Sequence, residues 1–346
     1  MADVKFTAEQ EALRSTVAQM ARPALVESPT ALTEGTAPSA WGALVDGSML
    51  SLRSREDGAP VAGTLETALV AEPLGRYPSI DTPFVGTTLA IELLSLAGAD
   101  EDLVESLATG RSRATVLLDS QLTDLVITHD DRVSGVAWDA GSAERAYLVR
   151  EVPGGFAIGY VEVAGAPGST AVDLTRPLVE VTDGAFHEVL STPVSAAQLD
   201  AWTAFALTLV AADEIGIMHA AVDMMNEYAK VRQQFGTPVG SFQAVSHRIA
   251  DAYVSLEGAR SIVWYAAWAA DNVDSDEALA SARRAKAYTG TTARCVCEDM
   301  IQVLGGIGMT WEHTAHLYLR RAMLDRQTFG DEHHQFGALT AIMMKG

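Results

Sequence analysis

In the segment FTAEQEALRSTVAQMAR, Leu13, Val17 and Met20 recur at helical spacing, with mostly polar residues between them. Thr7 stands where a helix N-cap would, and Glu9 and Glu11 fall in the first turn. TLETALVAEPLGRY and FVGTTLAIELLSLAG read as two further helices, stopped by Gly75 and Gly98. The stretch from about residue 28 to 64 is rich in Pro, Gly and Ser and reads as loop with short pieces of structure.

The pattern changes after about residue 110. ATVLLDS, DLVITHD, RAYLVRE, GFAIGYVEVAG and PLVEVTD are short, rich in Val and Ile, and divided by Gly, Asp or Pro. No helical period runs through this block, which predicts a small antiparallel barrel or sandwich. Helical character returns near residue 198. Residues 198–231 contain no proline and a single glycine, Gly216, and a helix of about 30 residues would be about 45 Å long. GTPVG is a turn, a second long helix runs from Phe242 to about Ala270, and NVDSDE is a loop. A third helix runs from about Glu277 to Leu304, GGIG breaks it, and a fourth starts near Glu312. The expected fold is α+β: an N-terminal helical domain (1–110), a middle antiparallel β-domain (111–197) and a C-terminal four-helix bundle (198–346).

Composition narrows the chemistry. The 346 residues carry a net charge of −21, which argues against a nucleic-acid partner because phosphate binding needs clustered Lys and Arg. An anionic ligand would need a local basic pocket working against that field. Cys295 and Cys297 lie two apart in a helical pattern and so face different ways, which disfavours a disulfide or a metal site. His333 and His334 are adjacent and do not converge on a metal either. No signal-like apolar core opens the chain, and no apolar run of about 18 residues suggests a membrane span. A cytoplasmic location is expected.

Two stretches carry candidate chemistry. In RQQFGTPVGSFQAVSHRIADAY (232–253), Arg232 sits in the last turn of a helix, Phe235-Gly236 ends it, and Gln243 and His247 share a face of the next. By itself this could be only a helical hairpin. In IQVLGGIGMTWEHTAHLYLRRA (301–322), Gly305 and Gly306 follow a helix and would let a phosphate or another chain approach the backbone. By itself this could be an ordinary glycine break, and it does not follow a strand as a Rossmann loop does.

Taken together, the two stretches resemble the acyl-CoA dehydrogenase family. Arg-x-x-Phe-Gly-x-Pro-x-Gly-x-Phe-Gln-x-x-x-His-x-x-Ala-Asp is similar to that family's FAD- and subunit-contact signature, and Gln-x-x-Gly-Gly-x-Gly is similar to its second one. FTAEQEALRSTV and ALVAEPLGR resemble its opening helices, and VDLTRP (172–177) resembles the end of its β-domain. The resemblance implies FAD at a subunit interface. Arg232, Gln234 and Phe235 would touch its pyrophosphate or adenosine half, Gln243 would stand beside that site, and Gln302, Gly305 and Gly306 would contact the ADP part. It also implies an acyl-CoA thioester as substrate and an electron-transfer flavoprotein as redox partner.

Family chemistry needs a carboxylate to remove the pro-α proton while hydride leaves Cβ. One family position for that base corresponds to Gly330 in QTFGDEHHQ (327–335), and the other to Ala206; the usual substrate-contacting Asp and Arg fall near Ala204 and Leu207. The glycine-rich loop that covers the flavin ring is replaced by ATVLLDSQLTDL. Asp331 and Glu332 are the candidates for a displaced base; Asp213, Glu214 and Glu312 are other nearby carboxylates. FGDEHHQ resembles the heteromeric α2β2 enzymes of actinobacteria, including those acting on sterol side chains. Three readings stay open: a partner chain that lacks the base and completes the FAD site across the interface, a self-sufficient dehydrogenase, and a non-flavin assembly protein.

Overall fold

The computed structural model describes residues 5–165 and 172–344, so the outermost residues of the first and last expected domains lie outside it. The N-terminal region holds α1 (Ala8–Ala21), α2 (Pro29–Thr33), α3 (Trp41–Asp46), α4 (Thr64–Arg76), α5 (Phe84–Leu96) and α6 (Glu101–Ala108). A two-stranded hairpin, β1 (Arg55–Glu56) and β2 (Ala59–Pro60), lies within the Pro/Gly/Ser-rich stretch. Thr7 caps α1 in a full capping box with Gln10. The cap of α4 comes from far along the chain. Gly63 offers no side chain, and Asp271 instead accepts from the Thr64 N–H at 2.6 Å and the Thr64 hydroxyl at 2.9 Å.

The middle region holds β3 (Ala114–Leu118), β4 (Ile127–Thr128), β5 (Arg132–Trp138), β6 (Arg145–Val152), β7 (Gly155–Glu162), β8 (Val179–Ala185) and β9 (His187–Val194). They form one seven-stranded sheet in the order β8-β5-β3-β6-β7-β9, with β4 beside β6. The sheet is mixed rather than purely antiparallel, because β3 and β4 both pair with β6 in parallel. The two edge strands are consecutive in sequence and only Phe186 separates them. The sheet must therefore curl until its edges meet: a Cβ on Gly159 of β7 would strike the Phe186 ring, and one on Gly184 of β8 would sit 3.4 Å from Val161 of β7. A strand that changes edges through a bend is how such sheets turn a corner.

The C-terminal region holds α7 (Ala196–Val231), α8 (Gln243–Asn272), α9 (Ser275–Leu304), α10 (Ala315–Gln327) and α11 (Glu332–Met343). Among the described residues, α7–α10 are the four expected bundle helices and α11 follows them. The loop expected over 272–277 shrinks to Val273 and Asp274, because Asp274 caps α9 directly by accepting from the Glu277 N–H at 3.1 Å. By length and apolarity α7 could cross a membrane, against the sequence expectation, yet 94% of its apolar stretch is buried inside the protein. A helix apolar on every side is a core helix, and α7 packs against α4, α8 and α9.

Gly75 does not stop α4, which continues to Arg76. Gly75 and Gly216 instead let α4 and α7 touch backbone to backbone. A Cβ on Gly75 would lie 2.1 Å from the Asp213 carbonyl oxygen, and one on Gly216 would lie 2.0 Å from that of Glu72. One hydrophobic cluster runs from α1 through α4 and α5, across one sheet face, and into α7–α11. A smaller cluster covers the other sheet face.

Candidate functional site

Arg232 is the C-cap of α7 and already extended, so the chain leaves the helix there and enters a hairpin. Its strands are β10 (Gln233–Gln234) and β11 (Thr237–Pro238), and its tip is Phe235-Gly236, with φ of +52° and +81°. Two consecutive left-handed residues make the tight turn that suits hairpin twist, and glycine takes the second at no steric cost. Phe235 is 93% exposed, although its ring meets Phe242 edge-on at 6.1 Å. Val231, beside the hairpin, is 73% exposed. Apolar side chains this bare mark a surface that suits a partner.

Behind the hairpin lies an open groove of about 520 Å³ walled by Tyr228, Arg232, Gln234, Val239 and residues 303–307. It brings Arg232 and Gln234 from one motif together with Gly305 and Gly306 from the other. Gly305 has φ +66°, and nothing stands within 4 Å of where a Cβ on Gly305 or Gly306 would be. Among the described residues, the Arg232 guanidinium has no carboxylate or hydrogen-bond partner, a rare condition in so acidic a chain. A free guanidinium opposite bare backbone, between apolar walls, suits an anionic ligand with a flat apolar part. Gln243 and Gln302 are exposed but do not wall this groove, and Phe235 stands out at the hairpin tip. The sequence reading missed Tyr228, although its place one helical turn before Arg232 was a usable signal; it also missed Val303 and Leu304, which read as ordinary core.

The two positions where the resemblance would put a base, Gly330 and Ala206, lie away from this groove, among buried side chains. Phe329 (φ +58°) precedes Gly330 (φ +85°), and its ring lies 6.3 Å from Trp138 and 5.9 Å from Trp202, edge-on to both. Trp138, Trp202 and Phe329 are at most 3% exposed. Within ATVLLDSQLTDL, residues 119–123 fold into a compact turn. Asp119 accepts from the Gln121 and Thr123 N–H groups at 2.9 Å, and the Leu122 carbonyl accepts from Phe329 N–H at 2.6 Å. Buried Gln335 holds the other side, donating to the carbonyls of Phe329 and Gly330 and accepting from Arg283 at 2.9 Å. Ala204, Ala206 and Leu207 are likewise buried in the core.

The carboxylates considered as substitutes are each committed to another role or stand apart. Asp331 caps α11, accepting from the N–H groups of His333 and His334 at 3.1 Å. Glu332 forks onto Arg326 at 2.8 and 2.5 Å, and that hydrogen bonding brings its carboxyl down to about 2. A base of that strength holds no proton at neutral pH and has little affinity for one. Asp213 and Glu214 are wholly buried, against Arg321 and Lys286 respectively, and Glu312 is exposed.

Residues 205–344 match the acyl-CoA dehydrogenase C-terminal domain. The chain is 31% identical to acyl-CoA dehydrogenase IpdE2 of Mycolicibacterium smegmatis over 345 residues, covering 96% of this chain and 98% of that one. In fold it is similar to the Tcur3481–Tcur3483 steroid acyl-CoA dehydrogenase, with TM-score 0.82, 22% identity and 98% of each chain covered. It is also similar to the ChsE4–ChsE5 complex of Mycobacterium tuberculosis, with TM-score 0.81, 22% identity and 100% of each chain covered. With 31% identity over nearly its whole length to one such enzyme, and the fold and paired motifs to match, the chain belongs to the acyl-CoA dehydrogenase family.

Proposed function

We propose that this chain is the partner subunit of a heteromeric, FAD-dependent acyl-CoA dehydrogenase. It holds the dinucleotide half of a shared FAD and leaves the base to a homologous chain. The observation that carries this reading is the packing at Gly330, where the resemblance would put a carboxylate: it follows a Phe329 ring set edge-on against both Trp138 and Trp202. The residues fit one half of the cofactor and not the other. Arg232, Gln234, Gly305 and Gly306 suit a pyrophosphate, while Trp138, fully buried with the Phe329 ring against it, offers no exposed face to a flavin ring. When bound, the flavin supplies the hydride acceptor. This chain's part is to grip phosphate, exclude water at the groove, and offer Phe235 and Val231 to a neighbour. The solved relatives that are two-chain complexes favour the heteromer, and the steroid enzyme among them makes steroid-derived acyl-CoA thioesters the first substrates to try.

The test is to express this chain alone and with a homologous dehydrogenase chain encoded beside it, then measure flavin content and acyl-CoA turnover. The pair is expected to be yellow and active, and the chain alone colourless and inactive. Arg232→Ala in this chain should lower the flavin content of the pair at least tenfold at limiting FAD, about 1.4 kcal/mol or more for a charged hydrogen bond, without preventing co-purification. Full FAD occupancy and turnover by this chain alone would sink the reading. A pair that stays colourless would point to an assembly protein instead.

A further inference from the structure

Where the sheet meets the bundle, two guanidinium groups and four carboxyl groups are packed out of water. Arg176, Arg321, Asp139, Asp173, Asp213 and Asp325 are each at most 6% exposed. They come from the end of β5, the segment leading into β8, α7 and α10. Arg321 forks onto Asp213 at 2.9 and 2.6 Å. Arg176 reaches Asp213 at 3.3 Å and Asp139 at 3.5 Å, and also bonds Asp325. The second oxygen of Asp139 accepts from the Gly86 N–H at 3.1 Å. Asp173 accepts from the Thr175 N–H and hydroxyl at 2.8 and 2.7 Å, and that hydroxyl also meets Arg321 at 3.2 Å.

The charges do not balance. Four carboxylates against two guanidiniums would leave two buried negative charges unmatched, and the next pair, Glu214 with Lys286, cancels only itself. A buried charge without a counterion takes up a proton instead. The geometry says where. Arg176 bonds one oxygen of Asp213 and one of Asp325, so the two buried carboxyl groups share a single guanidinium and one of them must shed its charge. Both oxygens of Asp213 are taken by guanidinium groups, whereas Oδ2 of Asp325 has no donor among the described residues. A proton on Asp325 removes one of the two unmatched charges; the other falls to Asp139, whose carboxyl is also pushed up by burial while Arg176 and the Gly86 N–H oppose it.

We propose that this cluster is a proton-held lock: at neutral pH Asp325 carries a proton and donates it to Asp213, and this lets Arg176 and Arg321 together clamp the sheet to α7 and α10. Burial, with Asp213 beside it, pushes the Asp325 carboxyl well above the usual carboxylate range, and Arg176 opposes this only in part. Burial would raise Asp213 too, but Arg321 and Arg176 outweigh it and hold Asp213 well below that range. The groups facing Asp325 are Arg176 from the sheet side, Asp213 from α7 and Arg321 from its own helix, with Asp139 behind Arg176. The sign follows. The folded protein keeps a proton that the unfolded chain has lost, so stability falls as pH rises from the ordinary carboxylate range through the folded value of Asp325. Asp213 acts in the opposite direction: its contribution is lost only as pH falls below that range.

Thermal unfolding of the purified full chain between about pH 5 and pH 9 tests the lock. Wild-type Tm is expected to fall as pH rises. Asp325→Asn keeps a donor without a titratable proton, so it should leave Tm nearly unchanged at neutral pH and flatten the slope by the equivalent of one proton. Asp213→Asn should lower Tm across the range. An Asp325→Asn slope equal to wild type, or a loss as large as that of Asp213→Asn, would overturn the proposal. If neither variant folds, infrared spectroscopy of the wild type with carboxyl-labelled aspartate decides. A protonated aspartic acid band at neutral pH supports the lock, and its absence overturns it.

Discussion

Gly330 shows that a carboxylate could not simply be restored at a position where the resemblance would put one. Its φ is +85°, and a Cβ there would lie 2.5 Å from the His334 ring. Gly330→Glu would therefore meet left-handed strain and a clash at once, a cost of about 1–3 kcal/mol from the backbone alone. It is expected to lower Tm without giving the chain dehydrogenase activity, which an acyl-CoA oxidation assay with an artificial electron acceptor would check. Any gain of turnover would mean that the aromatic cluster yields. That Gly330 stands where the resemblance would put a carboxylate was legible in QTFGDEHHQ. The aromatic packing beside it was not. Trp138, Trp202 and Phe329 come from a strand, a helix and a loop far apart in the chain, and each alone reads as a core aromatic.

The elements show the same division between local and distant causes. Helices α1, α7, α8 and α9 were legible because apolar spacing, caps and freedom from proline act over a few residues. Their joints were less so. Asp274 shortens a loop that polar composition had lengthened, and Gly75 looked like a stop because a sequence does not say that Gly216 lies against it. Strands β5 and β9 escaped notice because RVSGVAW and HEVLSTPV take their order from partners β8 and β7, not from a strong pattern of their own. The clearest distant cause is Asp271, which caps α4 from the end of α8. Asp271→Ala is expected to cost about 1 kcal/mol, as for a lost N-cap, and urea unfolding should show it as a lower midpoint with an unchanged m-value. A change in m instead would indicate that α1–α6 had come loose from the bundle.

At the scale of the molecule, three regions of different texture share one core, and α7 is the wall between them. The stretch 205–344 that matches a named domain is therefore not expected to fold alone. Expressed without residues 1–197, it would bare the α4-facing side of α7, including Gly216, and should be recovered aggregated or in a loosely packed form that binds hydrophobic dyes. Dispersed native-like amide resonances from that fragment would contradict this. The contact of Gly75 with Gly216 also limits how such chains can be recombined. A chimera that takes its first hundred residues from a relative inherits that relative's residue at the crossing, and one methyl group on either side pushes two helix backbones apart. Regions of this fold can thus be exchanged between family members only as matched pairs, so the two ends of the chain are expected to change together rather than separately.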